Sequence, residues 1–133
     1  MVSTEKDPFT GKIIGCAIEV HRDLGPGLLE STYQQCLARE LHLQGIEFEM
    51  EAAMPVQYKG IRLDCGYRVD FLMPGQLILE LKAVASISPI HRAQILASMK
   101  LAGIETGLLI NFSVNRLADG IERFKRGASS QAG

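Results

Sequence analysis

From Lys12 to about Leu24, apolar residues at Ile13, Ile14, Ala17, Val20 and Leu24 recur at helical spacing and predict a first helix. Gly25-Pro26-Gly27 breaks the chain. A second helix is expected from about Leu28 to Leu43, with Leu29, Tyr33, Cys36, Leu37 and Leu41 on one side and Gly45 placed as a C-terminal stop. The period then shortens. Glu47 to Tyr58 reads as a strand, Lys59-Gly60 as a turn, Ile61 to Met73 as a second strand, Pro74-Gly75 as the next turn and Leu77 to Ala85 as a third strand. Ser88 and Pro89 open a helix that runs to about Leu101, and Gly103 closes it. The nearly all-apolar run from Thr106 to Phe112 predicts a buried strand, expected to pair in parallel. A last helix is expected at about Arg116 to Arg126, turning Leu117, Ile121 and Phe124 inward. The fold class that follows is α/β (α+β), a mixed central sheet of about four strands flanked by helices.

The chain has 133 residues, which suits one domain over residues 1–126 and a flexible tail from Gly127 to Gly133. Hydrophobic residues make up 47% and charged residues 22%, a globular rather than a disordered balance. A formal charge of −1 argues against a protein that coats nucleic acid by bulk charge, while leaving room for a local basic groove. Arg68, Arg92, Lys100, Lys59 and Arg62 are the candidates for such a groove. Arg116, Arg123, Lys125 and Arg126 read better as the solvated face of the last helix. Cys16, Cys36 and Cys65 are odd in number and lack metal-type spacing, so they are expected to be reduced core thiols in a cytoplasmic protein. The polar start, Met1 to Pro8, does not suit a signal peptide, and no apolar run approaches the ~18 residues of a membrane span.

The informative residues are charges set where the pattern wants apolar groups. In the strand Leu77-Ile78-Leu79-Glu80-Leu81-Lys82-Ala83-Val84, Glu80 and Lys82 share a face with Ile78 and Val84, while Leu79, Leu81 and Ala83 take the other. A strand apolar on both faces is central, so this pair is expected to be partly buried and in need of partners. The preceding strand places Leu63, Cys65, Tyr67, Val69 and Phe71 on one face and Arg68, Asp70 and Leu72 on the other. Through a Pro74-Gly75 hairpin Asp70 faces the Glu80 region across a gap of about 5 Å. Two carboxylates so close raise each other's pKa unless a cation lies between them, and a divalent metal with Lys82 beside it satisfies all the charges. Glu30, seven residues before Leu37, lies at the edge of the second helix's apolar stripe and is aimed at the sheet, with Tyr33 one turn on and Gly27 allowing close backbone approach. Taken singly each has a plainer role: a strand salt bridge for Glu80 and Lys82, a turn residue for Asp70, a first-turn dipole partner for Glu30. Their joint inward placement favours a site.

Asp70 followed by Glu80-x-Lys82 resembles the metal-dependent PD-(D/E)XK nuclease superfamily. Gly27-Leu-Leu-Glu30-Ser-Thr-Tyr33 resembles the motif that names the GxxExxY proteins within it. The stretches from Ile14 to Gly27, Tyr67 to Asp70, His91 to Gly103 and Leu108 to Phe112 extend the similarity over roughly residues 10–126. The resemblance implies a restriction-endonuclease-like core and a nuclease site. Asp70 and Glu80 would bind Mg²⁺ or Mn²⁺ with the Leu81 carbonyl, and Glu30 would complete the metal environment directly or through water. Lys82 would orient or deprotonate the attacking water and steady the phosphoryl charge, and Gln94 would support the site or substrate. Many of those relatives have a tyrosine four residues after the glutamine, and this chain has Ser98. The chemistry agrees, since hard carboxylate oxygens suit Mg²⁺ or Mn²⁺ rather than zinc. His91, at the start of Gln94's helix, is placed near the site; His42 is expected on the surface and His21 in a structural role.

The expected activity is hydrolysis of phosphodiester bonds in DNA or RNA. The rival is a non-catalytic module that keeps the fold and holds nucleic acid or a partner protein; a third reading is a nuclease-fold toxin or defence component that needs a partner. A short chain has little surface for enclosing a duplex, which leaves a homodimer or a partner protein to complete it.

Overall fold

Asp7 starts the first helix, its carboxylate accepting the Thr10 N–H at 2.6 Å and Pro8 filling the first turn. In this computed structural model, which describes residues 7–127, the helix α1 runs Pro8–Leu24 and α2 runs Glu30–Leu43. Seven strands follow: β1 Glu49–Ala53, β2 Val56–Tyr58, β3 Ile61–Leu63, β4 Arg68–Met73, β5 Leu77–Lys82, β6 Thr106–Asn111 and β7 Ile121–Lys125. The helix α3, Pro89–Ala102, crosses between β5 and β6, and a 3₁₀ turn at Leu117–Gly120 precedes β7. The expected tail, apart from Gly127, and most of the polar start lie outside the described residues.

The sheet is mixed, in the order β1-β4-β5-β6-β7, with β5 and β6 parallel and the other pairs antiparallel. It is five-stranded rather than four-stranded because the expected last helix is instead the 3₁₀ turn and β7. Ile121, Glu122, Arg123 and Phe124 alternate along an edge strand that pairs with the fully buried β6, and this ladder outweighs the helical spacing of three apolar residues. Arg123 reaches Asp7 at 3.0 Å, the Lys125 ammonium donates to Thr106 and Arg126 donates to the Met99 carbonyl. These are therefore not the solvated helix face expected from sequence. The two long strands expected before β5 are each divided, and their inner ends, β2 and β3, form a separate two-stranded ribbon.

Apolar side chains cover both faces of the sheet. One cluster joins α1 and α2 to Phe71, Met73, Leu77, Leu79, Leu81, Leu108, Ile110 and Phe112; the other joins α3 to Ala52, Val69, Ile78 and Leu109. Tyr33 stacks on Phe112 with ring centroids 4.4 Å apart. His21 is buried, its Nε2 2.8 Å from the Val114 carbonyl oxygen, in the structural role expected for it, and His42 is exposed. Cys16 is buried, but Cys65 is exposed on the connection from β3 to β4, so the three cysteines are not all core thiols.

Gly120 is fixed by close approach. A Cβ there would overlap the carbonyl oxygen of Asn111. Because that obstacle is backbone, Gly120→Ala is expected to cost about 3 kcal/mol and to lower Tm by roughly 10 °C, as read by thermal unfolding. An unchanged Tm would show that the 3₁₀ turn yields without cost.

Candidate active site

The alternation expected for β4 breaks at Asp70. Val69 packs on the α3 side and Phe71 on the side of α1 and α2. Across the ladder Met50 pairs with Phe71 and Ala52 with Val69, and they too divide between the two sides. Glu51, between them, takes a left-handed φ of 52°, which is uncommon outside glycine. Val69 and Phe71 therefore do not share one face as the sequence period suggested. Asp70 stands where both strands change facing.

On its other side the backbone ladder from β4 to β5 pairs Met73 with Leu77, Leu72 with Ile78 and Phe71 with Leu79. Beyond it, side chains take over. The Leu81 N–H donates to Asp70 Oδ2 at 2.7 Å, and the Asp70 N–H donates to Glu80 Oε2 at 3.3 Å. The Asp70 carboxylate thus lies in the gap between strands. The Lys82 carbonyl accepts from Phe112 N–H on the β6 side, so by alternation the Leu81 carbonyl faces the Asp70 side, as its N–H does. Asn111 extends β5 beyond Lys82, its side-chain amide donating to the Val84 carbonyl at 2.9 Å and its oxygen accepting Val84 N–H at 3.1 Å.

Burial, then the charge of Asp70, pushes the Glu80 carboxyl up to about 8, so at neutral pH and without a cation it holds a proton and donates it to Asp70. Burial also raises Asp70, opposed by the hydrogen bonds from Leu81 and Glu80. The Glu30 carboxyl is raised by partial desolvation, with the charge of Lys82 pulling it back, Asp70 raising it and His91 lowering it. That network places Glu30 beside Lys82, Asp70 and His91. Its carboxylate also accepts the Ala83 N–H.

The loop that delivers Glu30 is pinned by Tyr33. The phenol donates to the Gly25 carbonyl at 2.5 Å and accepts the Leu28 N–H at 3.1 Å. Gly27 serves through a φ of 105°, open only to glycine without strain; the space around its Cβ position is empty, so close backbone approach is not its reason. Tyr33 and Gly27 are therefore supports of the site and do not enter it.

On the α3 side a cavity of about 170 Å³ is lined by Tyr67, Arg68, Glu80, Lys82, His91, Gln94, Ile95 and Leu109. It is smaller than the roughly 300–1,000 Å³ of pockets that enclose whole ligands, and suits a phosphate group with its waters. His91 Nδ1 accepts the Ser88 N–H at 3.1 Å in a capping box, which leaves Nε2 as the nitrogen that carries the ring proton. Ser98 is buried and its hydroxyl lies 2.7 Å from that of Tyr67, so the phenol beside Gln94 comes from the residue before β4 instead of from α3. Arg92 does not line a groove. It forms a two-point ion pair with Glu122 at 2.8 and 2.9 Å, locking α3 to β7.

The structure thus gathers Asp70, Glu80, Leu81 and Lys82, sets Glu30 and His91 beside them, and gives Gln94 the same cavity. Two further residues belong to the neighbourhood. Glu51 lies opposite Asp70 and raises its pKa, and buried Gln34 donates to Glu51 Oε2 at 2.7 Å and to the Asp70 carbonyl at 3.4 Å. Gln34 follows Glu30 by four residues, a helical neighbour that spacing alone indicates. Glu51 follows Glu47 and Glu49 and reads in sequence as one more solvated strand charge.

A divalent cation fits the donor set. Two hard carboxyls share a proton where a cation would otherwise neutralise them, and a backbone carbonyl faces the same gap. Mg²⁺ binds through one or two carboxylates and keeps several waters. Among the described residues no three His, Cys, Asp or Glu side chains form a ready-made metal cage.

A family model described as the PD-(D/E)XK nuclease superfamily matches residues 7–124. No curated protein and no solved structure shows significant similarity to the chain. Among the described residues no helix is long and apolar enough to cross a membrane.

Proposed function

We propose, from the premise that the chain belongs to the PD-(D/E)XK nuclease superfamily, that it is a metal-dependent nuclease of the GxxExxY type, hydrolysing phosphodiester bonds in DNA or RNA. The observation that carries the reading is the meeting of Asp70 and Glu80 inside the sheet, where the Asp70 N–H donates to Glu80 Oε2 and the Leu81 N–H to Asp70 Oδ2, with Lys82 on the strand face of Glu80. A structural salt bridge would pair Glu80 with a cation; this arrangement pairs it with another acid.

In this reading Asp70, Glu80 and the Leu81 carbonyl hold Mg²⁺ or Mn²⁺, and Glu30 completes the environment from α2. The ion, when bound, supplies a polarised phosphoryl oxygen and a bound water of lowered pKa. Lys82 orients the attacking water and places a positive charge against the phosphoryl oxygens as charge develops on them. His91 and Gln94, lining the cavity, offer an N–H and an amide to the phosphate or its leaving oxygen. Leu109 and Ile95 form the apolar wall, which lowers the local dielectric and strengthens each of these interactions.

The test is a cleavage assay on single- and double-stranded DNA and RNA with Mg²⁺ or Mn²⁺, run beside Lys82→Ala and an EDTA control. Cleavage is expected with metal, absent with EDTA, and slowed by about 10²–10⁴-fold in the variant. A folded protein that binds Mn²⁺ yet cleaves none of these substrates would overturn the reading of an enzyme active alone.

A further inference from the structure

Outside the site, the ribbon β2–β3 is the part of the chain least explained by the fold. It shares no ladder with the main sheet, and a lone two-stranded ribbon is marginal in water unless something packs on it. Its neck is closed by the Met54 N–H donating to the Tyr67 carbonyl at 2.8 Å. Its tip is a two-residue turn with Lys59 at φ 48° and Gly60 at φ 84°, the geometry that matches the twist of a hairpin. Pairing sets Val56 opposite Leu63, Tyr58 opposite Ile61 and Gln57 opposite Arg62. One face is therefore apolar and the other polar. The apolar face is not turned to the core: Tyr58 and Ile61 are each 59% exposed and Leu63 is 41% exposed.

The charge on this ribbon runs against that of the chain. Lys59, Arg62 and Arg68 against Asp64 leave residues 54–68 at +2, while the whole protein has a formal charge of −1. Arg68 pairs with Asp64 at 3.6 Å; among the described residues no ion pair engages Lys59 or Arg62. Lys59 lies 5.4 Å from the centre of the Tyr58 ring, so a cation and an exposed aromatic face stand together at the tip. The ribbon is also tied to the site. Leu63 is four residues before Tyr67, which lines the cavity with Arg68, and four residues span at most about 14 Å, the rise of about four stacked nucleotides.

We propose that the β2–β3 ribbon is a binding arm for single-stranded nucleic acid, stacking unpaired bases on Tyr58 and its apolar neighbours while Lys59 and Arg62 hold the backbone. The proposal rests on the nuclease reading for the class of ligand. Charge complementarity selects a polyanion. The apolar face selects unpaired bases over a duplex, whose exterior offers phosphates and sugars and would leave Tyr58, Ile61 and Leu63 unsatisfied.

Binding is measured without divalent metal, in EDTA, so the result does not depend on catalysis. Fluorescence anisotropy with 20-nucleotide single-stranded DNA and RNA and with the matching duplexes is expected to show the single strands bound at least 10-fold more tightly. Tyr58→Ala is expected to weaken them about 10-fold. Lys59→Ala with Arg62→Ala is expected to lower the slope of log affinity against log salt by about 1.4. Replacing residues 56–63 by a short Gly-Ser link, which leaves the closed neck in place, removes most of the binding. Circular dichroism melts verify that each variant is folded. Preference for duplex, unchanged binding by the variants, or no binding by the wild-type protein would each overturn the arm, whether or not the protein cleaves. So would light scattering that shows a dimer which Tyr58→Ala and Ile61→Ser dissociate, because the apolar face would then belong to a second copy.

Discussion

Replacing Asp70 by asparagine is expected to give a protein that is harder to unfold without metal and about 10³-fold slower as a nuclease. The two effects have one cause. Asp70 and Glu80 share a buried gap in which burial raises both carboxyls and the charge of Asp70 raises Glu80 further. Asparagine keeps the shape and an oxygen to accept the Leu81 N–H, and its amide can donate to Glu80. The cost of burying the Asp70 charge disappears, and the folded state is expected to gain about 1 kcal/mol or more near neutral pH. In the proposed metal site the same substitution removes a hard anionic ligand, and losing several kcal/mol of metal-based stabilisation of the transition state corresponds to about 10³-fold in rate. Thermal unfolding in EDTA and single-turnover cleavage in Mn²⁺ read the two sides separately. A variant less stable than the wild type would mean that Asp70 serves the fold, and one with unaltered cleavage would remove it from the site.

The stability of the metal-free protein is expected to fall as pH rises from about 4.5 to about 8. The Glu80 carboxyl is raised to about 8 in the folded protein from an ordinary value of 4.5. In that interval the folded state binds more protons than the unfolded one, so raising the pH favours unfolding. The stabilising contribution is fully present below about pH 4.5 and is lost as pH passes through about 8. Asp70 and Glu30, also raised, act in the same direction. A divalent cation reverses the trend because it displaces the shared proton, as metal binding to protonated ligands does. Its binding at pH 7 is therefore expected to release about one proton, which calorimetry in two buffers of different ionisation enthalpy measures directly. Mn²⁺ is expected to raise Tm more at pH 8 than at pH 6. Metal-free stability that rises across this interval, or binding with no proton release, would show that Glu80 is ionised in the apo protein and that no shared proton exists.

The helices α1, α2 and α3 and the apolar strand β6 were legible in the sequence because each carries a strong local period or cap. So were β5 and its odd charges, since Glu80 and Lys82 interrupt an otherwise apolar strand. The C-terminal segment was not, because Leu117, Ile121 and Phe124 satisfy a helical spacing, and only the free edge of β6 makes a strand there the better arrangement. Nor was the division of the two long strands legible, because the ribbon's exposed apolar residues have the alternation of a core strand. Glu51 was hidden among neighbouring glutamates. Its importance comes from a left-handed φ and from its position opposite Asp70, neither of which is a property of local composition.

By itself the sequence determined the helical and strand periods, the caps and turns that separate them, and the set of charges that have no place in a core. Those depend on residues near one another along the chain, where side-chain chemistry and backbone preference act directly. Tertiary structure decided how those charges meet. The change of facing at Asp70, the end of the β4–β5 backbone ladder and the proton shared with Glu80 arise from ladders between distant segments and from the low dielectric between packed layers. Pairing register and burial fix those quantities, and neither is encoded in any one stretch of residues.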